Sequence, residues 1–330
     1  MLTAELQRVA SANAVIAVQG LRKNFGDFIA VTGLDLTVGA GEVFGLLGGN
    51  GAGKTTTIRM LCGTLAPSEG RMEVAGVDMV SYPRRARSRI GYVTQGFTLY
   101  GDMTVRENLS LQAGLYGLES ARARQRADWA LAYLDLTHHA RTMARELPLG
   151  YQRRLSLAAA LLHEPRVLFL DEPTSGVDPA ARQHFWELIY ELADDGIGIL
   201  VTTHYMDEAA FCDRLALMDA GRVVEQATPE QFLARPLATP IIELEAERCA
   251  DCLPLLSQRP EILEVIPHAG LLRIRLRAGS DTTAFIDNVR KSAAGHAVDI
   301  ADVRVAAPEL EDVFVAVLEE VGEEAGEAVG

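Results

Sequence analysis

The chain has 330 residues, of which 23% are charged and 48% apolar, a balance that excludes general disorder and gives about two globular domains. A net charge of −14, from 31 Lys+Arg against 45 Asp+Glu, argues against nucleic acid as a partner, because phosphate neutralisation needs a clustered basic surface. No apolar run approaches the roughly 18–20 residues that cross a bilayer, the nearest being LSLAAALL at 155–162. The N-terminal MLTAELQRVASANAVIAV lacks the basic segment and apolar core of a secretory signal, so a cytoplasmic home is expected. Four cysteines suit a reducing compartment, and the one CxxC, Cys249 and Cys252, has no second pair to make a zinc site.

From the N-terminus, residues 14–38 alternate apolar and polar side chains between glycine turns, the pattern of an antiparallel β layer. Val43–Leu47 then predicts a buried strand, followed by GGNGAGKT at 48–55 and a helix beginning TTIRMLCGTL. That strand, loop and helix order fits a phosphate-binding P-loop. Gly48, Gly49, Asn50, Gly51, Ala52 and Gly53 would offer backbone amides, with Thr56 in the opening helix. Lys54 would reach the β- and γ-phosphates, and Thr55 would ligate Mg²⁺.

Arg71–Val77 reads as a strand, and the arginines at 84, 85, 87 and 89, like those at 122, 124 and 126, read as solvated helix faces. Thr104 and Glu107 form a capping-box pattern before a helical region that runs to about Leu147. A helix over about 151–163 stops near Pro165, the strand VLFL follows, and Asp178 with Pro179 announces another helix before a strand at 197–203. The boundary is placed at the end of the proline-rich 228–240. Beyond it come strand-like IIELE, a helix around Cys252–Gln258, the alternating LLRIRLR and an amphipathic helix around Pro308–Val317. The final EEVGEEAGEAVG reads as a disordered acidic tail.

VLFLDE at 167–172 sets two carboxylates at the C-terminal end of a buried strand, where open α/β sheets bind ligands. Asp171 is the candidate for the Mg²⁺ shell and Glu172 the candidate general base for an attacking water. Taken together, these segments resemble the nucleotide-binding subunit of an ABC transporter, especially the daunorubicin-resistance-like ATPases that pair with separate drug-exporting permeases. The resemblance covers about 15–320. It implies an α/β P-loop cassette with an antiparallel β layer and a helical subdomain over 14–240, a small C-terminal β/α accessory domain over 241–320, and a tail over 321–330.

The resemblance also supplies roles. Phe25 stands where an aromatic stacks on adenine, an exposed loop or core phenylalanine being the alternative. Gln95, in GYVTQ, matches the Q-loop residue that touches Mg²⁺ and relays nucleotide state to the permease. Asp178, in SGVD, matches the D-loop, and His204 matches the switch histidine at the γ-phosphate. Where the family has LSGGQ, this chain has LPLGY at 147–151. Pro148 carries neither a hydroxyl nor an N–H, leaving Gly150 and the next helix N-terminus to face phosphate across a dimer. Gly49 and Thr94 each replace a usual proline.

The implied protein binds ATP and Mg²⁺, forms a head-to-tail homodimer through its nucleotide sites, and sits on the inner face of the cell membrane against an integral-membrane permease that exports a drug-like or other hydrophobic compound. Two rivals stand beside it: a soluble non-transport ABC ATPase, and a weakly hydrolysing regulatory subunit. The accessory domain has a plainer alternative role, stabilising the dimer.

Overall fold

A computed structural model describes residues 13–327 apart from Gln258 and Ala297, with side chains to Gly322. The N-terminal stretch through residue 12, read for a signal, lies outside these residues, as do Gln258 at the expected helix end and the last three residues of the tail. The chain divides into two compact units, Met1–Pro229 and Glu230–Gly330.

In the first unit, β1 (Ala14–Phe25) and β2 (Phe28–Gly39) form the antiparallel hairpin that the alternation predicts, burying Ile16, Val18, Leu34, Leu36 and Val38 on one face. β3 (Val43–Leu47) follows, then α1 (Lys54–Leu61), and the stretch expected as one strand divides into β4 (Glu69–Val74) and β5 (Val77–Asp78) around Ala75 and Gly76, both left-handed. The order β2-β1-β4-β5 makes the first sheet.

A short α2 (Pro83–Arg87) leads to β6 (Ile90–Val93) and to three helices, α3 (Val105–Leu115), α4 (Ser120–Tyr133) and α5 (Leu149–Leu161), which pack on one another. The capping box forms as expected: Thr104 Oγ1 accepts the Glu107 N–H and Glu107 Oε2 accepts the Thr104 N–H. The arginines are less idle than solvated faces. Arg89 donates to the Ala75 carbonyl at 2.7 Å, and Arg126 donates to the Leu161 and Leu162 carbonyls while lying over the Trp129 ring.

The chain then lays down β7 (Val167–Asp171), α6 (Pro179–Asp194), β8 (Gly198–Thr203), α7 (Met206–Ala209), β9 (Arg214–Asp219) and β10 (Arg222–Ala227). The second sheet has the order β10-β9-β3-β8-β7-β6, parallel throughout except for β10. Every residue of β3, β7 and β8 is buried, as expected for parallel strands covered on both faces. Their apolar side chains, among them Phe44, Leu46, Phe169 and Leu200, each contribute about 1.5–3 kcal/mol by leaving water. This rigid layer fixes where the loops after β3, β7 and β8 emerge.

The second unit opens with α8 (Pro229–Leu233) across its boundary, then β11 (Ile241–Ala246), α9 (Cys249–Leu256), β12 (Ile262–His268), β13 (Leu271–Leu276), α10 (Thr282–Gly295), β14 (Ile300–Val305) and α11 (Leu310–Glu327). Its antiparallel sheet, β12-β13-β11-β14, shares a core with Leu256 of α9 and with Phe285 and Val289 of α10. The acidic segment from 321 begins inside α11. Cys249 and Cys252 are free thiols.

Candidate functional site

The loop between β3 and α1 owes its path to two glycines. Gly48 (φ 152°) and Gly53 (φ 105°) are both left-handed, and an added Cβ would stand 2.1 Å from the Met218 carbonyl oxygen or 2.6 Å from that of Ala30. Only glycine lets this loop lie against β9 and β2. An added Cβ at Gly49 would meet nothing within 4 Å, so the space at this position would admit the family's proline. No side chain caps α1, and its first turn presents amides and a positive dipole end to a ligand.

Lys54 is 5% exposed, and its Nζ donates to the Gly48 and Gly49 carbonyls at 2.6 and 3.0 Å. Burial holds its ammonium below the usual lysine value, opposed by the Glu172 and Asp171 carboxylates. The cation is thus poised over its own loop at the mouth of the sheet.

Asp171 ends β7 and is buried. Its Oδ1 accepts from Thr202 Oγ1 at 2.7 Å and from Thr55 Oγ1 at 3.3 Å. Burial and the Asp171 carboxylate together push the Tyr92 phenol well above its usual value. The hydroxyl of Thr55 and the carboxylate of Asp171 are hard oxygen donors on the sheet side of the phosphate loop, a set that suits Mg²⁺ completed by water and phosphate oxygens. Among the described residues no group of three or more His, Cys, Asp or Glu gathers as a metal cage.

Glu172 has φ 47°, a left-handed conformation that costs a non-glycine residue energy and turns its side chain away from the strand line. Its N–H donates to the Thr202 carbonyl at 3.0 Å, which ties the strained residue to β8. Gln95 Nε2 donates to Glu172 Oε2 at 2.8 Å, and His204 Nδ1 lies 3.3 Å from the same oxygen without hydrogen-bond alignment. Three segments distant in sequence therefore meet at one carboxylate oxygen. Gln95 reaches Glu172 here; the contact with Mg²⁺ is what the resemblance implies.

The structure does not bring Phe25, Asp178 or Gly150 into contact with Glu172, and each has its own local setting. Phe25 closes the β1–β2 hairpin and is 49% exposed, with Lys23 Nζ 5.0 Å from its ring centroid. Asp178 caps α6 through the Ala181 N–H at 3.0 Å, as expected. Gly150 sits in the first turn of α5, where an added Cβ would meet Ala181 and Val177. Asn50, Gly51, Ala52 and Thr56 occupy the loop and first turn as read.

Sequence reasoning missed three residues. Thr202 binds Asp171 and accepts the Glu172 N–H, and its signal was a threonine pair ending an otherwise apolar strand. Glu208 is fully buried and accepts from the Thr174 hydroxyl, 3.8 Å from Arg182 Nε. Arg153 donates to the backbone of Gln95 and carried no signal of its own in an arginine-rich helix.

A family model described as ABC transporter matches residues 31–175. The chain is also 37% identical over 310 residues to the daunorubicin resistance ATP-binding protein DrrA3 of Streptomyces coeruleorubidus, spanning 92% of this chain and 96% of that one. This chain belongs to the ABC transporter family. Against the probable multidrug ABC transporter ATP-binding protein YbhF of Escherichia coli K12, the ABC match is 44% identical over 221 residues. It takes in 67% of this chain but spans only 38% of YbhF. Among solved structures, CbiO1 of Clostridium perfringens, part of the ABC transporter complex CbiONQ, superposes with a TM-score of 0.63 and 32% identity over 68% of this chain and 92% of that one. The ABC segment at 31–175 includes the P-loop, Gln95, LPLGY, Asp171 and Glu172. Phe25, Asp178 and His204 lie beyond it.

Proposed function

We propose that this chain is the ATP-hydrolysing subunit of an ABC exporter, working as a head-to-tail homodimer on a separate membrane permease that moves a drug-like or other hydrophobic compound. The observation that carries the reading is the convergence of Gln95 and His204 on Glu172, whose charge, with that of Asp171, acts on Lys54. Similarity to proteins named for multidrug transport and daunorubicin resistance supports the exporter class. Similarity to a part of a transporter complex supports a separate permease. Among the described residues no helix is long and apolar enough to cross a membrane.

In this reading the P-loop amides and Lys54 hold the β- and γ-phosphates, and Phe25 stacks on adenine. Mg²⁺, held by Thr55 and Asp171, would neutralise charge shared by those phosphates. Water bound at Glu172 loses a proton to the carboxylate as its oxygen bonds to the γ-phosphorus. The bond to the β-bridging oxygen breaks, and ADP and phosphate leave. His204 borders the same space and fixes the line of attack, while Gln95 holds the carboxylate by one oxygen and leaves the other to water. Positioning and fixed charge supply most of the acceleration.

Co-purification from a native host separates the reading from its rival. The reading expects a polytopic membrane protein to accompany the chain and to raise its MgATP hydrolysis. Ribosomes or chromosomes in its place would replace the exporter by a soluble ATPase.

A further inference from the structure

Arg153 lies in α5, shortly after LPLGY, and is only 6% exposed. A guanidinium taken out of water is costly unless paired, yet among the described residues Arg153 makes no ion pair. Burial lowers its pKa, but arginine keeps its proton in proteins, so a positive charge stays inside the unit. Its partners are backbone carbonyls. Nη1 donates to Gln95 at 2.6 Å and more weakly to Thr94 at 3.5 Å, and Nη2 donates to Ser175 at 3.4 Å.

Both segments it holds touch Glu172. Gln95 does so through its side chain at 2.8 Å, and Ser175 through its N–H, which donates to the Glu172 carbonyl at 3.3 Å. The adjacent Arg154 instead reaches Leu134 and Asp135, away from both loops. Arg153 is therefore the side chain of α5 that spans from the helix to the two loops beside the carboxylate.

We propose that Arg153 is a positioning residue that fixes Gln95 and the 172–175 loop around Glu172, so that a displacement of LPLGY at the head of α5 is transmitted to the catalytic carboxylate of the same subunit. This rests on the hydrolytic reading above. The planar guanidinium suits the task because it holds two loops at once in a fixed fork, where an ammonium would hold one. A misplacement of Glu172 by a fraction of an ångström lowers turnover without loosening the phosphate loop, which Arg153 does not touch.

The test is steady-state MgATP hydrolysis by the full chain carrying Arg153→Met, which keeps an apolar stem, and Arg153→Lys, each with and without Gln95→Ala. Arg153→Met should lower kcat about tenfold while KM for ATP moves less than about threefold, with Arg153→Lys in between. On top of Gln95→Ala, the Arg153 change should cost less than about twofold more, because the two residues act in series. Should Arg153→Met fail to fold, Arg153→Lys carries the same cycle. A parental kcat in a folded variant, a rise in KM that matches the fall in kcat, or an undiminished loss in the Gln95→Ala background would overturn the proposal. A parent chain with no turnover at all removes the hydrolytic reading and this inference with it, whereas an active parent with an indifferent Arg153 removes only the inference.

Discussion

The two units place their buried polar groups differently. In the second unit charges sit in mid-strand and answer one another across the sheet. Glu243 of β11 faces Arg273 of β13 on one side and Arg304 of β14 on the other, and Arg273 adds Glu309 and Asp312 at 2.7 Å each. In the first unit one set of polar groups stands at or just beyond the ends of parallel strands, where Asp171, Glu172, Thr203 and His204 share one edge with the phosphate loop. They are only partly satisfied. His204 Nδ1 is buried with no aligned hydrogen bond, and the Lys54 ammonium is bound only by the Gly48 and Gly49 carbonyls of its own loop. Cross-strand charges that close on themselves make structure, and strand-end groups that converge without closing leave capacity for a ligand.

Substitutions in the two places should therefore separate activity from stability. Lys54→Ala should have the largest effect on function, lowering MgATP hydrolysis by about 10²-fold or more, with Tm shifted by no more than about 2 °C. A variant that kept its turnover would erase the distinction. Arg273→Ala should do the reverse. It strands carboxylates that are partly open to water, so chemical denaturation should report a loss of about 2–3 kcal/mol in the second unit, with hydrolysis per folded molecule within about twofold. Hydrolysis falling in step with that loss would show the charge ladder to be part of the catalytic apparatus.

Phe25→Ala tests the edge of the site more gently. Loss of stacking should weaken ATP binding by about 0.5–1.5 kcal/mol with the fold intact, and unchanged affinity in a nucleotide titration would take Phe25 out of the site. The smallest effect concerns Glu208, whose carboxyl burial raises above the ordinary carboxylate range against the hydroxyls of Thr174 and Thr203 and the Arg182 charge. A raised folded pKa means that the folded chain binds the proton more tightly than the unfolded one. This contribution is full below the ordinary value and lost as pH rises through the raised one. Glu208→Gln should flatten that part of the stability profile, and an unaltered slope would place the titration elsewhere.

The chemistry of the first unit was legible because its geometry is dictated locally. A glycine loop between a buried strand and a helix, or two carboxylates after an apolar run, can be placed without knowing what lies opposite. Gln95 and His204 were legible only through resemblance, since nothing in GYVTQ or VTTHY says that both meet one oxygen of Glu172. Arg153 escaped notice because its partners are backbone carbonyls, and Glu208 because its hydroxyl and arginine partners, Thr174 and Arg182, lie 34 and 26 positions away, so neither leaves a charge pattern along the chain. In the second unit LLRIRLR announced β13, but β12 and β14 mix exposed and half-buried residues without clean alternation, and α10 was missed with them.

If Glu172 activates water while its neighbours hold the nucleotide, Glu172→Gln separates the two roles, because the side chain keeps its size and loses only its basicity. With MgATP present, binding should persist and hydrolysis should fall by about 10²-fold or more. With ATP no longer consumed, light scattering should show a nucleotide-dependent rise in mass as the closed dimer accumulates. Turnover at the parental rate in this variant would contradict the assignment of Glu172.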